Sequence, residues 1–200
     1  IMGFDGANKR NGKNPILTYL KESNADILCL QEYASDESHR HLTQKDIERE
    51  LKDYPYHRIN VVGSGSSYSN KIACYSKFPI LSARVLNYTS NYNGSVLYEL
   101  KLDEDTITLI NNHLESNKLT KTDKDIYEDM LKAPEKEKVK SGARLLVRKL
   151  AEASAIRAPQ ADTIAKEIAS SRHPSIIVCG DFNDCLLYTS PSPRDRSVSR

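Results

Sequence analysis

The chain has 200 residues, 38% apolar and 28% charged, with a formal net charge of +2. That length fits one domain with a sizeable core; no apolar run approaches the ~20 residues of a membrane span, and the opening residues carry no signal-peptide pattern. The charge excess belongs to the last sixteen residues, which hold three arginines and one aspartate, so the body of the chain is neutral and gives no charge argument for nucleic-acid binding.

In chain order, Ile1-Met2-Gly3-Phe4-Asp5 reads as an entry point downstream of the protein's true start. Residues 15–21 place apolar side chains at helical spacing with Pro15 in the first turn, which predicts a helix. Residues 26–32 read as an apolar strand ending on Glu32. His39 and His41 fall in a polar loop and read as surface residues. Thr43 and Asp46 form a capping-box pattern that opens a helix through about residue 52. Residues 56–62 read as a strand. The Gly/Ser-rich stretch 63–70 lacks the lysine and following helix of a phosphate cradle, so a hairpin loop is expected. Strands follow over 71–76, 80–88, 95–102 and 106–113. In the third of these, Val96, Tyr98, Leu100 and Leu102 alternate with a largely polar face.

A helical stretch comes next. Helices are expected over 123–131 and 135–156, and a third over 160–170 once Pro159 has ended the second. Lys140, Arg144 and Arg148 recur every four residues; a solvated helix face is favoured over contact with phosphates. Residues 175–184 then give an apolar run that ends in Gly180-Asp181-Phe182-Asn183-Asp184. Of the four cysteines, Cys29, Cys74 and Cys179 lie inside apolar strands, where a free thiol behaves as a small hydrophobe. They form neither a disulfide framework nor a zinc spacing, which favours a reducing, cytoplasmic compartment and leaves a membrane anchor upstream of Ile1 open.

Chemistry gathers at strand ends. Strand alternation puts Asp181 and Asn183 on one side and Phe182 on the other. His113 has the parity of Ile107 and Leu109, so it shares their inward face. A polar turn would explain any one of these ends. Three strands ending in acid, amide or imidazole instead point to one converging mouth, where α/β folds place their sites.

Leu30-Gln31-Glu32, Asn112-His113-Leu114 and Gly180-Asp181-Phe182-Asn183, in this order, resemble the endonuclease/exonuclease/phosphatase superfamily, that of the DNase I-like hydrolases. Cys74-Tyr75-Ser76-Lys77-Phe78-Pro79-Ile80 resembles the family's strand-turn segment between the glutamate and histidine motifs. The resemblance runs from about Asn14 to Asp184. It implies an α/β (α+β) class, specifically a four-layer α/β/β/α sandwich of DNase I type, here incomplete at both ends. It divides the chain into a partial catalytic domain over 1–184 and a tail over 185–200. The tail has no periodicity and resembles translated sequencing-adaptor read-through; a disordered Ser/Pro/Arg tail is the alternative.

The resemblance and the residue chemistry agree on roles. Glu32 is the metal ligand, for Mg²⁺ or Mn²⁺. Asp181 aligns or deprotonates the attacking water. Asn183 orients Asp181 or the phosphate, and His113 bonds a phosphate oxygen or assists the leaving group. Asp184 is a supporting or turn residue. Arg157 and Gln160 match an Arg-x-x-Gln element and are expected to pack and hydrogen-bond. The family's first-strand asparagine and its C-terminal Ser-Asp-His element are not found here, so this stretch alone is expected to have little activity. Three readings follow for the whole protein: a nuclease-like phosphodiesterase; a phosphatase or phospholipase-like enzyme acting on lipid or inositol phosphates; or a non-catalytic binding domain of the same fold. A monomer acting on a phosphoester, with no protein partner, is expected.

Overall fold

The computed structural model describes residues 1, 4, 14–35, 42–65, 70–117, 122–123 and 136–183, the side chains of 136–141 excepted. His39, His41, the expected helix over 124–131, Asp184, the tail over 185–200 and the Lys140 side chain lie outside the described residues. The chain divides into two units: Ile1–Glu115 with Ala155–Asp181, and Ser116–Ser154 with Phe182–Arg200.

The first unit opens with α1 (Pro15–Glu22). Asn14 caps it, its side-chain oxygen accepting from the Ile16 and Leu17 amides at 3.0 and 3.2 Å. Pro15 in the first turn loses nothing, because that N–H would have no helical partner. Strand β1 (Ile27–Leu30) follows, then α2 (Gln44–Glu50). The Thr43/Asp46 box is present: the Asp46 amide donates to Thr43 Oγ1 at 3.1 Å, and the Thr43 amide to Asp46 Oδ2 at 3.3 Å. Strands β2 (Tyr56–Val61) and β3 (Lys71–Ser76) complete a sheet of order β1-β3-β2, antiparallel throughout.

The second sheet has the order β4-β5-β6-β7, from β4 (Ile80–Val85), β5 (Gly94–Leu102), β6 (Asp105–His113) and β7 (Ile176–Asp181). Three antiparallel strands end in one parallel pair, β6 with β7. A parallel neighbour requires a long crossover, and α3 (Lys136–Ala169) lies within that connection.

Three apolar clusters define the layers. Leu17, Ile47 and Leu51 of the α1/α2 region pack with Leu28, Leu30, Ala73 and Tyr75 on the outer face of the first sheet. Between the sheets, Ile72 and Cys74 meet Val96, Tyr98, Leu100, Ile107 and Leu109, with Cys29 and Cys179 packed against them. On the outer face of the second sheet, Leu97 and Ile110 pack against Ile164 of α3. Helix, sheet, sheet and helix therefore follow in order, the expected sandwich.

Two expectations need correction. Pro159 does not end a helix: α3 runs through it. Proline removes one helical donor, but Arg157, Gln160 and Ile164 around it are buried against the sheet, and that packing outweighs the lost bond. The last strand stops at Asp181, and Asn183 has a left-handed backbone (φ 51°), so strict alternation does not carry from Asp181 to Asn183.

In the second unit, Lys149 pairs with the buried Asp123 carboxylate at 2.6 Å. Arg144 and Arg148 are exposed, as a solvated helix face requires.

Candidate active site

The site is built on the β6–β7 pair. Their register sets Asn111 opposite Cys179, Asn112 opposite Gly180 and His113 opposite Asp181. Gly180 makes this register possible. Its φ is +127°, and a Cβ there would lie 2.0 Å from the Asn112 carbonyl oxygen. Only glycine fits so close an approach. The pairing extends one residue further, where the Leu114 amide donates to the Asp181 carbonyl at 2.9 Å.

Asn112 is fully buried and locks the two strands through its side chain. Its Nδ2 donates to the Cys179 carbonyl at 2.9 Å, and its Oδ1 accepts from Ser95 Oγ at 2.6 Å. Ser95 in turn meets the Tyr88 hydroxyl at 2.7 Å. Burial pushes the Tyr88 phenol up to about 12, against a lowering by Ser95, so it stays protonated. The next inward residue, Asn111, reaches across to the other sheet and accepts from Gln31 Nε2 at 2.5 Å. That bond ties the end of β1 to β6 and brings in Glu32, the next residue. Glu32 itself has a left-handed backbone, φ 52°, an uncommon conformation for a residue with a side chain.

Charge shows the same convergence. Burial holds the His113 imidazole below its ordinary value of 6.5, while Glu32 and Asp181 both pull it upward. Both carboxylates therefore act on one ring, and burial outweighs them. A neutral imidazole offers one N–H donor and one acceptor nitrogen, suited to a phosphate oxygen or to proton transfer. Asp181 is exposed and Glu32 half-buried, so both are open to solvent and to ligand.

Of the site residues expected from sequence, the fold brings Glu32, His113 and Asp181 together. Asn183 belongs to the second unit. Arg157 and Gln160 are buried, and both bond to the main chain of Glu115. Sequence reasoning missed Ser90, Asn93 and Ser95, whose partners are 17 to 25 residues distant. It also missed that Gln31 pins Asn111. The signal available was a run of small polar residues from the loop before β5 into its first residues.

The donor chemistry suits a hard cation. Mg²⁺ is commonly held by one or two carboxylates, with water and substrate oxygens completing the shell. Glu32 provides such an oxygen donor. Among the described residues, no group of three His, Cys, Asp or Glu is arranged to hold a metal alone.

Two facing sheets with outer helices and a polar mouth at the strand ends define a DNase I-like α/β sandwich. The model of the Endonuclease/Exonuclease/phosphatase family matches residues 2–198, and the chain belongs to this family of phosphoester hydrolases. Among solved structures it is similar to D. rerio TDP2 complexed with single strand DNA product, at 16% identity and a TM-score of 0.52, covering 90% of this chain and 57% of that one. SmcL is similar at 18% identity and a TM-score of 0.52, with 87% and 57% covered. A β-hairpin deletion mutant of beta toxin from Staphylococcus aureus is similar at 17% identity and a TM-score of 0.51, with 88% and 61% covered. The likeness to these structures is one of fold, and the chain spans little more than half the length of each. No curated protein matches the chain.

Proposed function

We propose that the protein carrying this chain is a Mg²⁺-dependent phosphoester hydrolase that acts first on phosphodiesters, in the manner of a nuclease. The observation that carries this reading is the placement of His113 opposite Asp181, with Glu32 acting on the same imidazole. Phosphodiester hydrolysis needs an activated water, neutralised phosphoryl oxygens and a stabilised leaving oxygen. Asp181 orients the water and takes its proton. The neutral His113 donates its N–H to a phosphoryl oxygen or to the departing oxygen. Glu32 would hold Mg²⁺, which supplies charge neutralisation at the phosphate. A role for Asn183 rests on its motif in the sequence alone. Mn²⁺ would substitute.

The single-strand DNA product bound to D. rerio TDP2 supports a nucleic-acid substrate. The balanced charge of the chain body supports the second reading, a phosphorylated lipid or inositol, because it provides no surplus of cations for a polyanion. We infer further that the 200 residues alone turn over slowly, because their sequence shows neither the family's first-strand asparagine nor its Ser-Asp-His element.

The test is a hydrolysis panel with the full-length protein and Mg²⁺: single-stranded DNA, bis(p-nitrophenyl) phosphate, inositol phosphates and phospholipid vesicles. Turnover of a diester that EDTA and Asp181→Ala both abolish supports the reading. No turnover on any substrate would sink it. Robust turnover by the 200-residue chain would overturn the inference about the chain alone.

A further inference from the structure

Strand β6 loses its sheet partner just after His113. The Leu114 amide makes the last bond to β7, through the Asp181 carbonyl. Beyond that rung, four main-chain or side-chain groups of Leu114 and Glu115 are buried, and each is met by a side chain from elsewhere in the unit. The Leu114 carbonyl accepts from Asn93 Nδ2 at 2.9 Å. The Glu115 amide donates to Gln160 Oε1 at 3.0 Å, and its carbonyl accepts from Arg157 Nη1 at 3.0 Å. Its carboxylate accepts from Ser90 Oγ at 2.8 Å. Arg157 and Gln160 are three residues apart on α3, hence on one face, and they grip the two ends of a single peptide residue.

We propose that Arg157 and Gln160 are positioning residues for His113. They stand in for the sheet partner that β6 lacks past its last rung, and so fix the imidazole in register with Asp181. This rests on the reading of His113 and Asp181 as site residues. Neither Arg157 nor Gln160 needs to touch substrate.

A second observation separates this role from ordinary packing. Gln160 is 1% exposed, yet its Nε2 has no hydrogen-bond partner among the described residues. A buried amide left half-satisfied is unfavourable. Methionine would fill the same space without that penalty, but it would leave the Glu115 amide without its acceptor. What Gln160 supplies that an apolar residue could not is its carbonyl oxygen, which meets the Glu115 amide.

The experiment uses the ¹⁵N-labelled 200-residue chain and the variants Gln160→Met, Gln160→Glu and Arg157→Lys. Exchange of the Glu115 amide is measured against that of Ile110 inside β6, and the ring resonances of His113 are recorded at one neutral pH. In the wild type the Glu115 amide should be protected, although it lies outside the ladder. Gln160→Met should speed its exchange by about a hundredfold relative to Ile110 and shift or broaden the His113 ring signals. Gln160→Glu keeps an acceptor oxygen and should restore the protection. If Gln160→Met fails to fold, Arg157→Lys reads the same clamp from its other end: it should shift or broaden the His113 ring signals while the Glu115 amide stays protected by Gln160, and unchanged His113 signals would overturn the proposal. An unprotected Glu115 amide in the wild type overturns the proposal. So does a Gln160→Met chain that melts earlier with His113 and Glu115 unchanged, because that is the behaviour of a packing residue. These readouts need no turnover, so failure of the hydrolase reading and failure of the clamp are seen separately.

Discussion

His113 and Asp181 face each other on parallel strands, and the residue after His113 donates its amide to the Asp181 carbonyl at 2.9 Å. The ring and the carboxylate are thus placed by backbone, not by flexible side chains. Asp181 also raises the His113 pKa, against the lowering by burial. Asp181→Asn keeps the shape and removes the charge. It should move the His113 titration further below 6.5, seen by NMR. In the full-length protein it should cut turnover by about a hundredfold or more, the usual contribution of a positioned proton acceptor. A His113 titration that rises or stays put would show that Asp181 does not act on the ring.

Gly180 holds that register. A methyl group at its Cβ would meet the Asn112 carbonyl oxygen at 2.0 Å, in a backbone conformation that side chains rarely adopt. Gly180→Ala should destabilise by about 3 kcal/mol or more, since strain and steric overlap add. Thermal unfolding measures it. A loss under about 1 kcal/mol would mean that β7 can shift away from β6 without penalty.

The mouth of the sandwich was legible because its chemistry sits at strand ends, and strand ends follow from short apolar runs. Glu32, His113 and Asp181 each close such a run. The Thr43 capping box is local and equally readable, whereas the Asn14 cap emerges only from the structure. What was not legible depends on distance along the chain. Gln160 and Arg157 were noted as a pair, but their partner Glu115 is 45 and 42 residues away. At Pro159 a local rule meets a tertiary one: proline predicts a helix end, and the buried face around it keeps α3 intact. Asn183 was placed by extending strand alternation two residues past the point where the backbone leaves the strand.

Ser95 is the link most exposed to a single substitution. It bridges the Tyr88 hydroxyl and Asn112 Oδ1 from a fully buried position. Ser95→Ala strands the Asn112 oxygen without its donor, which should cost about 1–3 kcal/mol. Asn112 Nδ2 still bonds the Cys179 carbonyl, so the β6–β7 register should survive. Denaturant unfolding gives the first quantity. An unchanged pattern of protected amides in β7 would confirm the second, and its loss would make Ser95 part of the register device.

His113 should make stability depend on pH. Burial lowers its folded pKa below the ordinary 6.5. Between that lowered value and 6.5 the unfolded chain binds more protons than the folded one, so stability rises with pH across this window. The contribution is complete above 6.5 and is lost as pH falls toward the folded value. His113→Asn should flatten the curve of unfolding free energy in that window. An equal slope in wild type and variant would assign the effect to other groups.

Glu32 should trade stability for function. Its φ of 52° lies in the left-handed region, where a non-glycine residue carries roughly 1 kcal/mol of strain and asparagine is better tolerated. Glu32→Asn relieves part of that strain and removes the carboxylate that would hold Mg²⁺. The variant should be as stable as the wild type or more stable by about 0.5–1 kcal/mol, while Mg²⁺-dependent turnover by the full-length protein is lost. Glu32→Ala keeps the strain and loses the same ligand, so it should match the wild type in melting temperature and Glu32→Asn in activity. The pair separates conformation from chemistry. If Glu32→Asn melts earlier than Glu32→Ala, the left-handed backbone is held by the surrounding fold and not by the choice of residue. If either variant keeps full Mg²⁺-dependent turnover, Glu32 is not the ligand.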